Sequence, residues 1–364
     1  VNVPAAQPVA AHGLTPAERG GIVVTFLLAA GAAVTRYSPG VPSIAAFVLA
    51  GCALAGQAWL VSIATEQLGG HLGPALAGTL QATVGNVPEL FVVLFALRAH
   101  QAVVAQMTLL GSILMNALLV LGLVLVVGAS RSRDGIMRFS PRLPNDEATL
   151  LLVASFLIVL LGVAHLLHDP ASHHGQAVSI VGAVMILIVY GAWMRQYLRS
   201  ERPQEPTAPE LRLSLPLSLA LVSVAGVGSA FTSDWFVHAL QPTITQLHIS
   251  EQFAGLVIVA LAGNAVEHSV GIYLAWRRQA ELAIAVVKTS VAQIAAFIYP
   301  LLVLVSLLAA TSLTFSIAPL YIAALFGTAV LVWQITGDGE ATVFEGFALI
   351  AAFVVIAVFA AFGG

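Results

Sequence analysis

Apolar runs of about 20 residues, each long enough to cross the hydrocarbon core of a bilayer as a helix, succeed one another along nearly the whole chain. Only 9% of the residues are charged. A soluble domain carries about 25%, so this chain could not cover its surface with water-facing groups. The fold class this dictates is an all-α polytopic membrane protein. The net charge of -3 says nothing about nucleic acid, but no basic stripe interleaved with aromatics is present, so no nucleic-acid partner is expected. The sequence holds neither a Walker loop nor a His-Glu-x-x-His pattern, so neither nucleotide-driven pumping nor zinc proteolysis is expected. The lone cysteine, Cys52, cannot form an internal disulfide.

The runs lie at about 20–37, 43–65, 72–98, 102–129, 147–167, 176–198, 211–230, 252–276, 280–308, 312–335 and 341–362, which makes eleven. The basic residues test this count. With eleven spans, the side holding the N-terminus receives eleven arginines: Arg19, four at 131–142, four at 195–212, and Arg277 with Arg278. The other side receives only Arg36 and Arg98. The arginine-rich side is expected to be cytoplasmic, which places the N-terminus there and the C-terminus opposite. Only Arg19 precedes the first run, which reads as a retained helix rather than a cleaved signal.

Residues 200–210 are polar, carry three prolines and read as an exposed cytoplasmic linker. They divide the chain into an N-terminal tail with an extra first helix (1–40), a five-helix unit (41–199) and a second five-helix unit (211–364). Five is odd, so the second unit must enter the membrane from the opposite side. An inverted repeat of this kind is characteristic of secondary transporters, with the ion site near the midplane where the units meet.

Each unit holds a matching polar peptide inside an apolar stretch: Gly85-Asn86-Val87-Pro88-Glu89 and Gly263-Asn264-Ala265-Val266-Glu267. An ionisable group there is costly unless it meets a partner, a cavity or an ion. Asn86 and Glu89 are three apart and share a helical face. Pro88 cannot donate a backbone hydrogen bond and is expected to free the Val84 carbonyl, with Gly85 loosening the same turn. In the second peptide Val266 replaces the proline, so the kink is expected to rest on Gly263. Two carboxylates, two amide oxygens and free carbonyls suit a hard divalent cation, and Ca2+ takes six to eight oxygen ligands in flexible geometry. Without the cation, facing carboxylates repel and take up protons. Cation and proton then compete for the same oxygens, the minimum machinery of an antiporter.

With these peptides, the chain resembles the cation/proton exchangers of the Ca2+/cation antiporter superfamily, from about residue 44 to the C-terminus. The resemblance also rests on Gly111-Ser112-Ile113-Leu114-Met115-Asn116, Glu267-His268, Gln293-Ile294, Asp338-Gly339 and Glu345-Gly346. It implies an extra first helix followed by two inverted five-helix bundles. It implies that Glu89 and Glu267 carry cation and proton, that Asn86 and Asn264 assist, and that Asn116 and Gln293 line hydrophilic paths, with Ser112 and Ser290 beside them. Three positions depart from the family pattern: Pro88 is unusual for it, Thr289 stands where the family has glycine, and Lys288 occupies a normally apolar position. The acidic linker of the family is also thin here, with only Glu201, Glu205 and Glu210. Lys288 is expected to snorkel to the surface; the alternative is that it faces the path and lowers cation affinity.

Other polar residues are weaker candidates. Glu66 and Asp234 are expected to end the second and seventh spans, either as ordinary helix ends or as acidic vestibules. His268 follows Glu267 but is turned away by helical rotation, so a structural partner is as reasonable as a role in proton exchange. His165, His168, Asp169, His173 and His174 read as an exposed loop rather than a metal site.

The function expected is a secondary antiporter, not an enzyme, exchanging Ca2+ for H+ in a membrane, with a bacterial inner membrane favoured. Ca2+ is substrate, and no cofactor is expected. Na+/Ca2+ or Mn2+/H+ exchange on the same fold are the near alternatives, and a cation channel is the alternative of a different class.

Overall fold

The computed structural model describes residues 13–72, 86–200, 213–308 and 311–363. The helices are α1 (Pro16–Tyr37), α2 (Ser43–Leu72), α3 (Val87–Arg98), α4 (Ala102–Ser130), α5 (Arg142–Leu166), α6 (Gly175–Ser200), α7 (Leu215–Leu247), α8 (Glu251–Gly263), α9 (Ala265–Trp276), α10 (Ala280–Leu308), α11 (Pro319–Thr336) and α12 (Val343–Phe362). Among the described residues, nine helices are long and apolar enough to span a membrane, and α8 with α9 makes a tenth span bent by 60°. Helix α3 is the described half of the run at 72–98; residues 73–85 and the linker expected at 200–210, beyond Ser200, lie outside the described residues.

Four boundaries differ from the sequence expectation by five residues or more, one of them the start of α5 at Arg142 instead of 147. Helix α7 does not stop near 230 but runs to Leu247, ending at His248 in the left-handed conformation. Its second half was missed because Asp234, His238 and Gln241 lower its apolar character. At helical spacing these three fall on one face, and together they line a cavity. Helix α2 likewise continues to Leu72, past Glu66. Helix α11 begins only at Pro319, whose missing N–H costs nothing in a first turn. The chain before it is extended and pinned by Gln106, which donates to the carbonyls of Thr314 (3.1 Å) and Ser316 (2.8 Å).

The core centres on α4. Leu109, Leu110, Ile113, Leu114, Leu118, Leu121 and Leu125 are all fully buried, and Thr108, Ser112 and Asn116, polar residues of this run, are buried with them on one face. Glycines bring α4 and α8 into backbone contact. A Cβ added at Gly111 would lie 2.2 Å from the Leu256 carbonyl oxygen, and one at Gly255 would lie 2.7 Å from Met107 Cβ. Small residues that let helix backbones approach are the usual means of association where water supplies no driving force.

An offset of 178 residues relates the two units in detail. It maps α3 onto α9 residue for residue and the start of α4 onto the start of α10. It also maps the left-handed His100 (φ 59°) onto Arg278 (φ 61°), together with the backbone hydrogen bonds around each. A π-helical segment interrupts α4 at Met115–Val120, and another interrupts α10 at Ile294–Ile298, the equivalent stretch. Such segments leave one residue out of the regular ladder and often sit at functional positions.

A two-stranded antiparallel ribbon was not foreseen. Ile136–Arg138 (β1) pairs with Glu340–Thr342 (β2), with Met137 opposite Ala341. The Asp338-Gly339 and Glu345-Gly346 peptides serve this ribbon and the helix after it. Gly339 takes φ +81° and lies against the Phe139 carbonyl, while Glu345 closes a capping box with Thr342 at the start of α12.

Candidate functional site

Both polar peptides sit at helix breaks. Helix α3 starts directly after Asn86 and α9 directly after Asn264, and the two asparagines share a backbone conformation (φ -89°, ψ 6° and φ -109°, ψ 13°). Pro88 falls in the first turn of α3, where helices leave backbone N–H groups unpaired in any case. The same break forms in the second unit with Val266 in its place, so proline is not what makes it. Gly263 does not adopt a positive φ, and an added Cβ there would meet no atom of the described residues within 4 Å. Gly85 and Val84 lie outside the described residues.

The asparagine side chains cross between the units. Asn86 Nδ2 donates to Gln293 Oε1 on α10 at 3.4 Å. Asn264 Nδ2 donates to Ser112 Oγ on α4 at 2.9 Å and to the Ala260 carbonyl at 3.0 Å, and its Oδ1 accepts from Asn116 Nδ2 at 3.5 Å. Each unit's asparagine therefore reaches the long helix of the other. These contacts form two groups, Asn86 with Gln293 and Asn264 with Ser112 and Asn116, and all five residues are at most 3% exposed.

Glu89 lies in the first turn of α3 and is 2% exposed. Ser112 and Asn264 approach its carboxyl closely enough to interact with it, but neither oxygen is in a hydrogen bond of regular distance and angle among the described residues. Asn116 Oδ1, Ser290 Oγ and Thr232 Oγ1 are likewise buried and unpartnered. Next to Thr232, Ser233 Oγ donates to the Pro88 carbonyl at 3.3 Å, tying α7 to the start of α3. Buried oxygens without donors carry a large desolvation cost, which a cation or a proton would relieve. Glu267 occupies the equivalent place in the first turn of α9; its side chain lies outside the described residues.

Lys288 corrects the sequence expectation. It does not snorkel: it is 2% exposed, and its Nζ donates to Thr336 Oγ1 at 2.7 Å. On the neighbouring residue, Thr289 donates a hydrogen bond to Glu147, also 2% exposed. Glu147 was missed because it opens the fifth run, where a carboxylate reads as a solvated helix end. The helix begins five residues earlier, at Arg142, and carries Glu147 inside. Thr289, at the departure from the family glycine, is what holds this acid.

The remaining candidates scatter. His268 is 7% exposed, and its Nε2 has no partner among the described residues. Asp234 lies within α7 and lines a cavity of about 420 Å³ with Arg98, Gln101, His238 and Gln241, at the far end of α3 from Glu89. The backbone of Glu66 lies within α2, and its side chain is outside the described residues. The histidine-rich tract is a surface turn: Asp169 accepts the Ala171 N–H at 2.8 Å and caps a short 3-10 helix at Pro170–His174.

A polytopic bundle whose two units break at matched amide and carboxylate positions is the architecture of a membrane ion transporter. The sodium/calcium exchanger protein family matches residues 42–195 and 217–362. The chain is 34% identical over 321 residues to the vacuolar calcium ion transporter of Schizosaccharomyces pombe, covering 85% of this chain and 77% of that one. It is 30% identical over 302 residues to the Ca2+/H+ antiporter ChaA of Bacillus subtilis, covering 81% and 86%. Its fold matches the solved structure of native YfkE with a TM-score of 0.78 at 26% identity, over 94% of this chain and 99% of that one. The chain belongs to the sodium/calcium exchanger protein family and, within it, is of the cation/proton exchanger type.

Proposed function

We propose that this protein exchanges Ca2+ for H+ by alternating access, with Glu89 and Glu267 as the shared carriers of both ions. The observation that carries the reading is the Glu89 carboxyl, buried at a helix break with two unpartnered oxygens and two polar side chains from α4 and α8–α9 facing it. Two carboxylates neutralise one divalent cation, and amide, hydroxyl and carbonyl oxygens complete a flexible hard-ligand shell. When protons take the carboxyls, the cation loses its counter-charge and leaves. The protonated pair then allows the bundles to return.

The supporting relatives bear calcium and calcium/proton names. The two units are taken as inverted bundles, with the arginine-rich face cytoplasmic and a bacterial plasma membrane as the setting. Asn86 and Asn264 orient the carboxyls and contribute oxygen, while Gln293, Asn116, Ser112 and Ser290 line the approach. Asp234 would collect cations in the cavity at the opposite mouth.

The test is transport in proteoliposomes under an imposed pH gradient, offering Ca2+, Mn2+ and Na+ separately to the native protein and to Glu89→Gln and Glu267→Gln. Proton-driven Ca2+ uptake should be present in the native protein and lost in both variants. Uptake that survives either substitution defeats the carrier role. Native protein that ignores Ca2+ but carries Mn2+, or that responds only to a Na+ gradient, defeats the substrate assignment. Flux without an opposing ion would make it a channel.

A further inference from the structure

At the arginine-rich end of the bundle, the loop after α4 and the turn between α9 and α10 enclose a cavity of about 610 Å³. Arg131, Arg133, Arg138 and Arg278 line it, with Asp134 the acid among the lining residues. Arg138 is satisfied: it pairs with Asp134 at 2.6 Å and with Glu340 at 3.0 Å, and the Asp134 carboxyl is held below its ordinary range by that contact. The nearby Glu281 is turned away, accepting the Ser140 backbone N–H at 2.7 Å. Arg131, Arg133 and Arg278 have no acidic partner among the described residues. The Arg131 guanidinium lies 4.1 Å from the centre of the Trp276 ring, and its Nε is buried without a hydrogen-bond partner.

The backbone that carries these arginines is fixed, while the Arg133 and Arg278 side chains are exposed. The loop is braced by pairing of β1 with β2 and by the Ile136 N–H donating to Asp134. Arg278 is held in a left-handed turn by its own N–H bond to the Ala275 carbonyl. Three cations around one cavity repel each other until an anion joins them, and planar guanidinium groups match the oxygens of phosphate in two-point contact. Trp276 is more than half exposed beside the cavity. An aromatic at the end of a membrane helix marks the headgroup level.

We propose that this cavity binds a phosphate-bearing anion, supplied either by the headgroup of an anionic phospholipid or by free phosphate. The ligand is recognised by Arg131, Arg133 and Arg278, with Trp276 holding the Arg131 fork in place. Basic pockets between membrane helices are a known way of reading phospholipid charge.

Native mass spectrometry of the full chain in detergent tests the site, with phosphatidylglycerol, phosphatidylcholine and inorganic phosphate offered separately and in competition. Phosphatidylglycerol should be retained in preference to phosphatidylcholine. Arg131→Gln, Arg133→Gln and Arg278→Gln should each weaken retention about tenfold, the loss of one charge-assisted contact. Arg195→Gln, an exposed arginine outside the cavity, should leave it unchanged. Displacement by millimolar phosphate would assign the site to the free anion, and resistance to it would assign the lipid. The site is overturned if Arg195→Gln weakens retention as much as the cavity variants, or if neither phosphatidylglycerol nor phosphate binds. Arg133 is exposed, so its variant separates lost binding from any misfolding caused by removing the Arg131–Trp276 stack.

Discussion

Asn264 donates a 2.9 Å hydrogen bond to Ser112, joining a broken helix of the second unit to the central helix of the first. The Asn86–Gln293 bond runs the opposite way between the units. The candidate site is therefore held by reciprocal contacts, and weakening one should disturb the carboxyls of both units.

Asn264→Ala removes the partner of Ser112 and of Asn116 together. Leaving buried polar groups unsatisfied costs about 1–3 kcal/mol. Ca2+ uptake in proteoliposomes should fall by roughly one to two orders of magnitude. Ser112→Ala should have a smaller effect, because Asn264 keeps its bonds to Asn116 and the Ala260 carbonyl.

Glu89→Gln should abolish exchange without unfolding the protein. It removes a buried charge that has no hydrogen-bond partner among the described residues, so thermal stability without Ca2+ should be unchanged or raised. Added Ca2+ should raise the melting temperature of the native protein by mass action and leave that of the variant where it was. A variant still stabilised by Ca2+ would place the ion elsewhere.

The apparent affinity for Ca2+ should weaken as pH falls. Protonation removes the charge the cation needs, so a lower pH raises the Ca2+ concentration required for half-maximal uptake. The maximal rate at saturating Ca2+ should change less. Initial rates measured over a grid of pH and Ca2+ check this, and a pH-independent half-saturation would exclude shared oxygens.

Lys288→Met removes a buried ammonium together with its 2.7 Å hydrogen bond to Thr336. The lost hydrogen bond of a charged group costs about 1.5–3 kcal/mol, and removal of the buried charge offsets part of it. Melting temperatures of Lys288→Met, of Glu147→Gln and of the double variant measure whether the two buried groups interact: the double variant should be less destabilised than the two single changes added together. Simple additivity would mean that they act independently.

Two glycines should respond in opposite ways. Gly111→Ala drives a methyl group into the Leu256 backbone and should sharply reduce folded yield. Gly263→Ala meets open space on a helical backbone, so it should fold, transport and gain up to about 1 kcal/mol of stability. Yield and melting temperature of the two proteins side by side decide this.

The span pattern and the paired Asn-x-x-Glu peptides were legible because polar atoms in an apolar run have few reasons to exist, whereas Ser112, Asn116 and Gln293 were reached only through the resemblance to the cation/proton exchangers. The second half of α7 was not legible. There a polar face over Asp234, His238 and Gln241 imitates a loop, and only tertiary packing reveals that it lines a cavity. The fate of Lys288 depended on Thr336, 48 residues away, and no local pattern could supply it. The β1–β2 ribbon escaped for the same reason, since three-residue strands draw their pairing from partners about 200 residues distant.

The backbone crossing at Gly111 and Gly255 has a mechanical consequence. Glycine on both helices lets α4 and α8 meet backbone to backbone at one point, and a contact that narrow suits rotation better than separation. Under the proposed exchange cycle the crossing would be the pivot, and the breaks at Asn86 and Asn264 would be where the lever arms begin.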